Sequence, residues 1–185
     1  MTFIDSILLA VGLSMDAACV SSTNGLAYRP SLYTLLKFSL FFGIFQAIMP
    51  LLGYAIIRCL AIDISSFTPY IALIILTILG AKMIKDSFSK DENNLANAAD
   101  QLTTKLIIIQ AIATSIDALS VGTFLTGIAI IEMLEISIII GLTTFIICIL
   151  SGILGTKIGK PFNKQAEILG GIVLIFLGLK IFIGS

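Results

Sequence analysis

Residues 6–28 read "SILLAVGLSMDAACVSSTNGLAY", an apolar and small-residue run of 23 residues with one charge, Asp16, at its middle. As a helix such a run is about 35 Å long, enough to cross a hydrocarbon layer of about 30 Å. It has no basic leading region and no small-residue cleavage pattern, and it carries a carboxylate at mid-depth. The stretch therefore predicts a retained membrane helix and not a signal peptide.

The same pattern recurs outward from this run. Apolar intervals of spanning length follow at 38–57, 64–81, 106–131, 136–156 and 168–185, the fourth of the six spans holding Asp117. Hydrophobic residues make up 58% of the 185, charged residues 12%, and mean hydropathy is +1.11, far from the balance of a soluble domain. The expected fold is an all-α integral membrane protein of six transmembrane helices, with the lipid bilayer as its partner and no nucleic acid. Cys19, Cys59 and Cys148 have neither disulfide nor zinc-type spacing and read as packing residues.

Charge distribution gives an orientation. Nine basic residues (Arg29, Lys37, Lys82, Lys85, Lys90, Lys105, Lys157, Lys160 and Lys164) fall after spans 1, 3 and 5, and only Arg58 and Lys180 fall on the other side. The positive-inside rule then puts both termini outside the cell and loops 1, 3 and 5 in the cytoplasm. Lys82 and Lys180, near the ends of spans 3 and 6, read as side chains snorkelling to the two interfaces.

The polar connection at 86–104, "DSFSKDENNLANAADQLTT", divides the spans into a first repeat at 1–85 and a second at 105–185. "LSMDAACV" is echoed by "TSIDALSV", "MPLLGYAI" by "SGILGTKI", and "ILGAKMI" by "FLGLKIF", in the same order at offsets of about 100 residues. Three spans per unit is an odd number, so the second unit enters the membrane inverted. Inverted three-helix repeats are a recurring plan of secondary transporters, whose sites lie near the midplane where the repeats meet. Asp16 and Asp117 both fall near the centre of their spans, on equivalent helices.

A carboxylate at that depth costs roughly 2.5 to 3.5 kcal/mol on insertion scales unless it is protonated, hydrated or paired. The chain has no histidine, and spans 1, 2, 4 and 5 carry no basic residue at that level. Sharing protons, lining a wet cavity or binding a cation remain as ways to hold two carboxylates. Around them the pattern places oxygen donors: Asn24 along span 1, Thr114 and Ser115 beside Asp117, and Gln46 in span 2, whose backbone carbonyl is left unbonded by Pro50. Two carboxylates with neutral oxygens suit a hard divalent cation such as Mg²⁺, Ca²⁺ or Mn²⁺ better than zinc or copper. Gly152, Gly155, Gly170, Gly171 and Gly178 read as packing positions.

At these residues the sequence resembles the MntP family of bacterial manganese efflux pumps, within a wider group of small exporters of amino acids and cadmium. The resemblance rests on "LSMDA" with Asp16, "FGIFQAIMPLLG", "LGAKMI", "ATSIDALSVG" with Asp117, and "AEILGGIVLIFLG", and covers nearly the whole chain. It implies export of Mn²⁺ from the cytoplasm across the bacterial inner membrane, six spans, and importance for Asp16 and Asp117. Gln46 stands where some members are acidic, and "SSTNG" at 21–25 replaces a "SIGKG" type of sequence. Manganese would be the transported substrate, no resident cofactor is expected, and protons are the candidate counter-ion. The alternatives are export of Cd²⁺, Mg²⁺, Ca²⁺ or a small organic cation or amino acid. An intramembrane aspartyl protease is a distant third, since its Gly-x-Gly-Asp motif is replaced here by Ser-Met-Asp and Ser-Ile-Asp.

Overall fold

A computed structural model describes residues 3–60, 68–89, 102–157 and 160–183. The described chain is helical apart from short connections: α1 (Phe3–Tyr28), α2 (Leu32–Cys59), α3 (Thr68–Ser89), α4 (Thr104–Thr114), α5 (Ile116–Phe124), a 3₁₀ turn (Leu125–Gly127), α6 (Ile130–Lys157) and α7 (Lys160–Ile183). Ser31 and Thr103 start α2 and α4, their hydroxyls accepting from the amides of Thr34 and Leu106. At the end of α1, Arg29 adopts a left-handed conformation (φ 43°) and its amide bonds back to the Gly25 carbonyl, with Pro30 preventing continuation.

Four segments are long and apolar enough to cross a membrane: α1, α2, the α4–α5–3₁₀ unit at Thr104–Gly127, and α6. A shorter apolar stretch, Gly171–Lys180, lies in α7. α3 and α7 overrun the apolar intervals expected at 64–81 and 168–185, and their extra turns bring in polar residues; α3 continues to Ser89, into the connection expected at 86–104. The rest of that connection up to 101, and both Gly184 and Ser185, lie outside the described residues.

The helices are apolar outside and partly polar inside, the reverse of a soluble bundle. On α2 the outward row Leu40, Ile44, Ile48, Leu52 and Ile56 is exposed, while Ser39, Gly43, Gln46 and Pro50 are buried. On α6, Ile138, Leu142, Ile146 and Leu150 face outward, and Ser137, Gly141, Thr144, Cys148 and Ser151 are buried. Lipid is the solvent that such an arrangement fits.

With small residues inside, backbones approach closely. α1 packs chiefly on α6 and α7, α3 on α7, and α2 on α6 and α5. Along the α1–α6 seam a Cβ at Gly155 would lie 2.1 Å from the Ser22 carbonyl oxygen, and the Ser21 hydroxyl donates to the Cys148 carbonyl at 2.5 Å. Gly152, Gly171 and Gly178 are likewise packing positions, whereas the surroundings of Gly170 lie outside those described. Cys19 and Cys148 are buried as expected of packing residues; Cys59 is exposed at the last position of α2, where the helix has left the bundle interior. Lys180 does more than snorkel: its ammonium pairs with the buried Asp5 carboxylate and ties α7 to the start of α1. Sequence spacing could not reveal this pair, because its members are 175 residues apart.

Candidate functional site

The span containing Asp117 is broken at Ser115, which ends α4 and begins α5. Two consecutive hydroxyls sit at the break. Thr114 Oγ1 donates to the carbonyls of Gln110 (3.0 Å) and Ala111 (3.2 Å), and Ser115 Oγ donates to that of Ile112 (3.1 Å). The Ser115 amide also bonds to the Ile112 carbonyl at 3.2 Å, a three-residue turn in place of the four-residue one, so the hydroxyls back-bond where the helix tightens and stops. Asp117 consequently stands in the first turn of a new helix, where its Oδ1 accepts the Ala118 amide at 2.7 Å. A negative charge is favoured at a helix start, and the carbonyl end of α4 beside it favours a cation.

α1 is continuous through Asp16, but the preceding turn is also drawn on by side chains. Ser14 Oγ donates to the Val11 carbonyl at 2.9 Å, the same three-residue back-bond that Ser115 makes in the second half. The Leu13 carbonyl accepts from Gln46 Nε2 at 2.9 Å. Because Leu13 offers only an acceptor there, the Gln46 amide is fixed with its nitrogen toward α1. Its Oε1 accepts no hydrogen bond from the described residues, although Gln46 is only 1% exposed. A buried carbonyl oxygen calls for a partner, and the described residues supply none to this one or to the hydroxyls of Ser22, Ser39, Ser137 and Thr144.

α2 is the element common to both aspartate turns. Gln46 reaches α1 at Leu13; one turn on, the Pro50 carbonyl lies against Gly122 of α5, and Gly53 lies against the Leu119 carbonyl. A Cβ at Gly122 would be 2.0 Å from the Pro50 oxygen, so only glycine permits α5 to lie this close. Leu13, Ala118 and Val121, with the partly buried Met15 and Met49, belong to one packed cluster, which the turns of Asp16 and Asp117 therefore border together. Both aspartates are partly exposed, Ser115 and Thr114 are buried. Beyond α5, Tyr54 donates to the Ile128 carbonyl at 3.0 Å and accepts from Arg58 Nη2 at 2.8 Å, clasping the end of the short helix to α2.

Of the expected oxygen donors, Gln46, Thr114 and Ser115 thus lie in or against the aspartate turns. Asn24 lies elsewhere: eight residues beyond Asp16, it is locked to Gln110 of α4, donating from Nδ2 to Gln110 Oε1 (2.9 Å) and accepting at Oδ1 from Gln110 Nε2 (3.3 Å). Gln110 was missed by the sequence reading, although Gln110, Thr114 and Asp117 follow one another at the i, i+4, i+7 spacing of a helix face. Leu13 clusters with Ala118 and Val121 while Asn24 meets Gln110, so α1 and the α4–α5 span run in opposite directions past each other. Among the described residues no group of three or more His, Cys, Asp or Glu could hold a metal ion. Asp16 and Asp117 stand in different spans, each with neutral oxygens in or against its turn.

The fold defines a small multi-pass membrane protein of helices, with Asp117 at an interrupted span and Asp16 within a continuous one. The family described as "Putative manganese efflux pump" matches residues 29–182. The chain belongs to this MntP family. Relatives named MntP and described in the same words include those of Clostridium botulinum strain Loch Maree (43% identical, covering 99% of this chain and 95% of the relative), Ruminiclostridium cellulolyticum (41%, 99% and 96%) and Methanosarcina acetivorans (40%, 98% and 96%). They are transporters by name, not enzymes, which removes the protease alternative. No solved structure matches the chain significantly.

Proposed function

We propose that the chain exports Mn²⁺ from the cytoplasm, binding it between Asp16 and Asp117 with oxygens from Gln46, Thr114 and Ser115, and exchanging it for protons. The observation that carries this reading is the buried, unpartnered Gln46 Oε1 on the helix that touches both aspartate turns. Two carboxylates neutralise a divalent charge in a low-dielectric setting, and hard neutral oxygens suit manganese or its near neighbours. Full-length similarity to proteins named as manganese efflux pumps supports the metal and the direction. Asn24 would join the path only when its pairing with Gln110 opens.

The six-span inverted repeat of 1–85 and 105–185, joined by 86–104, is the framework of this proposal. Support comes from the matching back-bonds of Ser14 and Ser115, from the antiparallel passage of their helices, and from α3 against α7. There Gly80 lies against Gly171, and Gly178, the counterpart of Gly80 in the echoed segments, lies against Leu73. With both termini outside the bacterial inner membrane, a cysteine introduced at Asn94 should be shielded from an impermeant thiol reagent in intact cells, and one at Ser185 should be labelled. Cys59 is replaced by serine in this background because it is exposed. The opposite labelling pattern reverses the orientation.

Proton exchange follows because a carboxylate oxygen that holds a proton cannot also hold the cation, so the two compete for one site. In proteoliposomes with the membrane potential clamped, a pH gradient should drive Mn²⁺ uphill, each ion matched by counter-moving protons. Mg²⁺, Zn²⁺ and Cd²⁺ as competitors report the selectivity. Manganese flux that ignores the gradient and runs only downhill rules out the exchange.

A further inference from the structure

The geometry points to Gln110 and Asn24 as a closure of the ion path on one side of the aspartates, a role that rests on the transport reading above. Asn24 is eight residues past Asp16 on α1, and Gln110 is seven residues before Asp117 on the oppositely directed span. Both therefore lie on the same side of the aspartate turns, at about 10 to 12 Å along the helices. By the basic-residue asymmetry this is the cytoplasmic side.

The pair joins elements that otherwise have little to do with each other. α1 is seated on α6 and α7, the α4–α5 span is seated on α2, and α1 meets α4 over only a narrow stretch. Across that stretch each carboxamide oxygen accepts from an N–H of the other, at 2.9 and 3.3 Å, and Asn24 is only 2% exposed. While the pair stands, both amide oxygens are turned toward each other's N–H, and α1 is held against α4. When it parts, the same two oxygens become neutral donors at the approach to Asp16 and Asp117. A carboxamide pair suits this use better than an ion pair would. It adds no fixed charge that would trap or repel a divalent ion, and neutral hydrogen bonds re-form readily.

Gln110 also lies directly behind the helix break. Its backbone carbonyl accepts the Thr114 hydroxyl at 3.0 Å, so a shift of the α4 backbone at Gln110 would be passed to the turn before Asp117.

The test uses the full chain in inverted membrane vesicles with Cys19, Cys59 and Cys148 replaced by serine or alanine and with Mn²⁺ as the probe. In Asn24→Cys/Gln110→Cys, a short bis-methanethiosulfonate that bridges the two thiols should reduce Mn²⁺ uptake to that of empty vesicles, and dithiothreitol should restore it. Each single cysteine, whatever its own rate, should take up Mn²⁺ equally before and after the same treatment. The exchange Asn24→Gln/Gln110→Asn, which can rebuild both hydrogen bonds, should keep proton-coupled uptake. Gln110→Leu should let Mn²⁺ run down its own gradient without one. A fully bridged protein that transports at the unbridged rate, or a Gln110→Leu variant that stays tightly coupled, overturns the assignment. Failure of the unmodified parent to move Mn²⁺ would instead strike the transport reading, so the two failures are distinguishable.

Discussion

Asp16→Asn and Asp117→Asn should each lower manganese export on the order of 100-fold or more, since even residues that only support a metal ligand are worth about 10- to 100-fold. Membrane abundance should be unchanged or raised, because asparagine is nearly the same shape and cheaper to insert than a charged carboxylate. The two substitutions should fail alike. Both carboxylates border one packed cluster, and α2 touches both of their turns, so one cation would lose half of its charge compensation in either case. Gln46→Leu removes a neutral oxygen only and should have a smaller effect, about 10-fold. It also releases the Leu13 carbonyl, so its thermal stability in detergent should be measured beside its flux. Initial rates of Mn²⁺ uptake into inverted vesicles, normalised to protein, check all three. Either aspartate variant exporting at the parental rate would sink the shared site.

Gly155→Val and Gly25→Val should instead remove the protein. A Cβ at Gly155 would stand 2.1 Å from the Ser22 carbonyl oxygen, and one at Gly25 would stand 2.2 Å from that of Gly152. Backbone cannot yield as a flexible side chain can, so α1 and α6 would be pushed apart and the Ser21 bond to the Cys148 carbonyl lost. Overpacking of a well-filled interface costs about 3 kcal/mol or more at such distances, a large share of a total stability of about 5 to 15 kcal/mol. Membrane abundance and melting temperature in detergent should both fall. Gly127→Ala is the control: nothing lies within 4 Å of its added Cβ, and it should melt like the parent. Equal losses at all three positions would mean that the close seam is not what the glycines serve.

These outcomes separate what can be read from local pattern from what cannot. That Gly155 is a packing position was legible in the sequence; that a Cβ there would meet the Ser22 carbonyl, and that Gly127 stands clear, depends on which backbone a distant segment brings alongside. The Lys180–Asp5 pair is of the same kind: a lysine at the end of an apolar run reads as a snorkelling side chain until the helix carrying Asp5 is seen beside it. Asn24 read as a ligand because it is an oxygen donor on a helix that carries Asp16; its engagement by Gln110 depends on how two distant spans are aligned.

By itself the sequence determined that this chain is helical and membrane-embedded, since apolar intervals of spanning length leave the backbone no other way to satisfy its hydrogen bonds in lipid. It also marked Asp16 and Asp117, because a charge in such an interval needs a reason whatever surrounds it. The break at Ser115 was half legible: the Thr-Ser doublet is visible, but tertiary packing decides whether hydroxyls interrupt a helix or merely bond back along it. Ser14 makes the same back-bond as Ser115 within an unbroken helix. Only the tertiary structure decided that Gln46 holds the Leu13 carbonyl with its own oxygen left over, that Pro50 and Gly122 bring α5 onto α2, and that Gln110 closes on Asn24. Hydrophobicity and helical period are properties of neighbouring residues. Which carbonyl an amide meets across an interface is set by where whole helices come to rest.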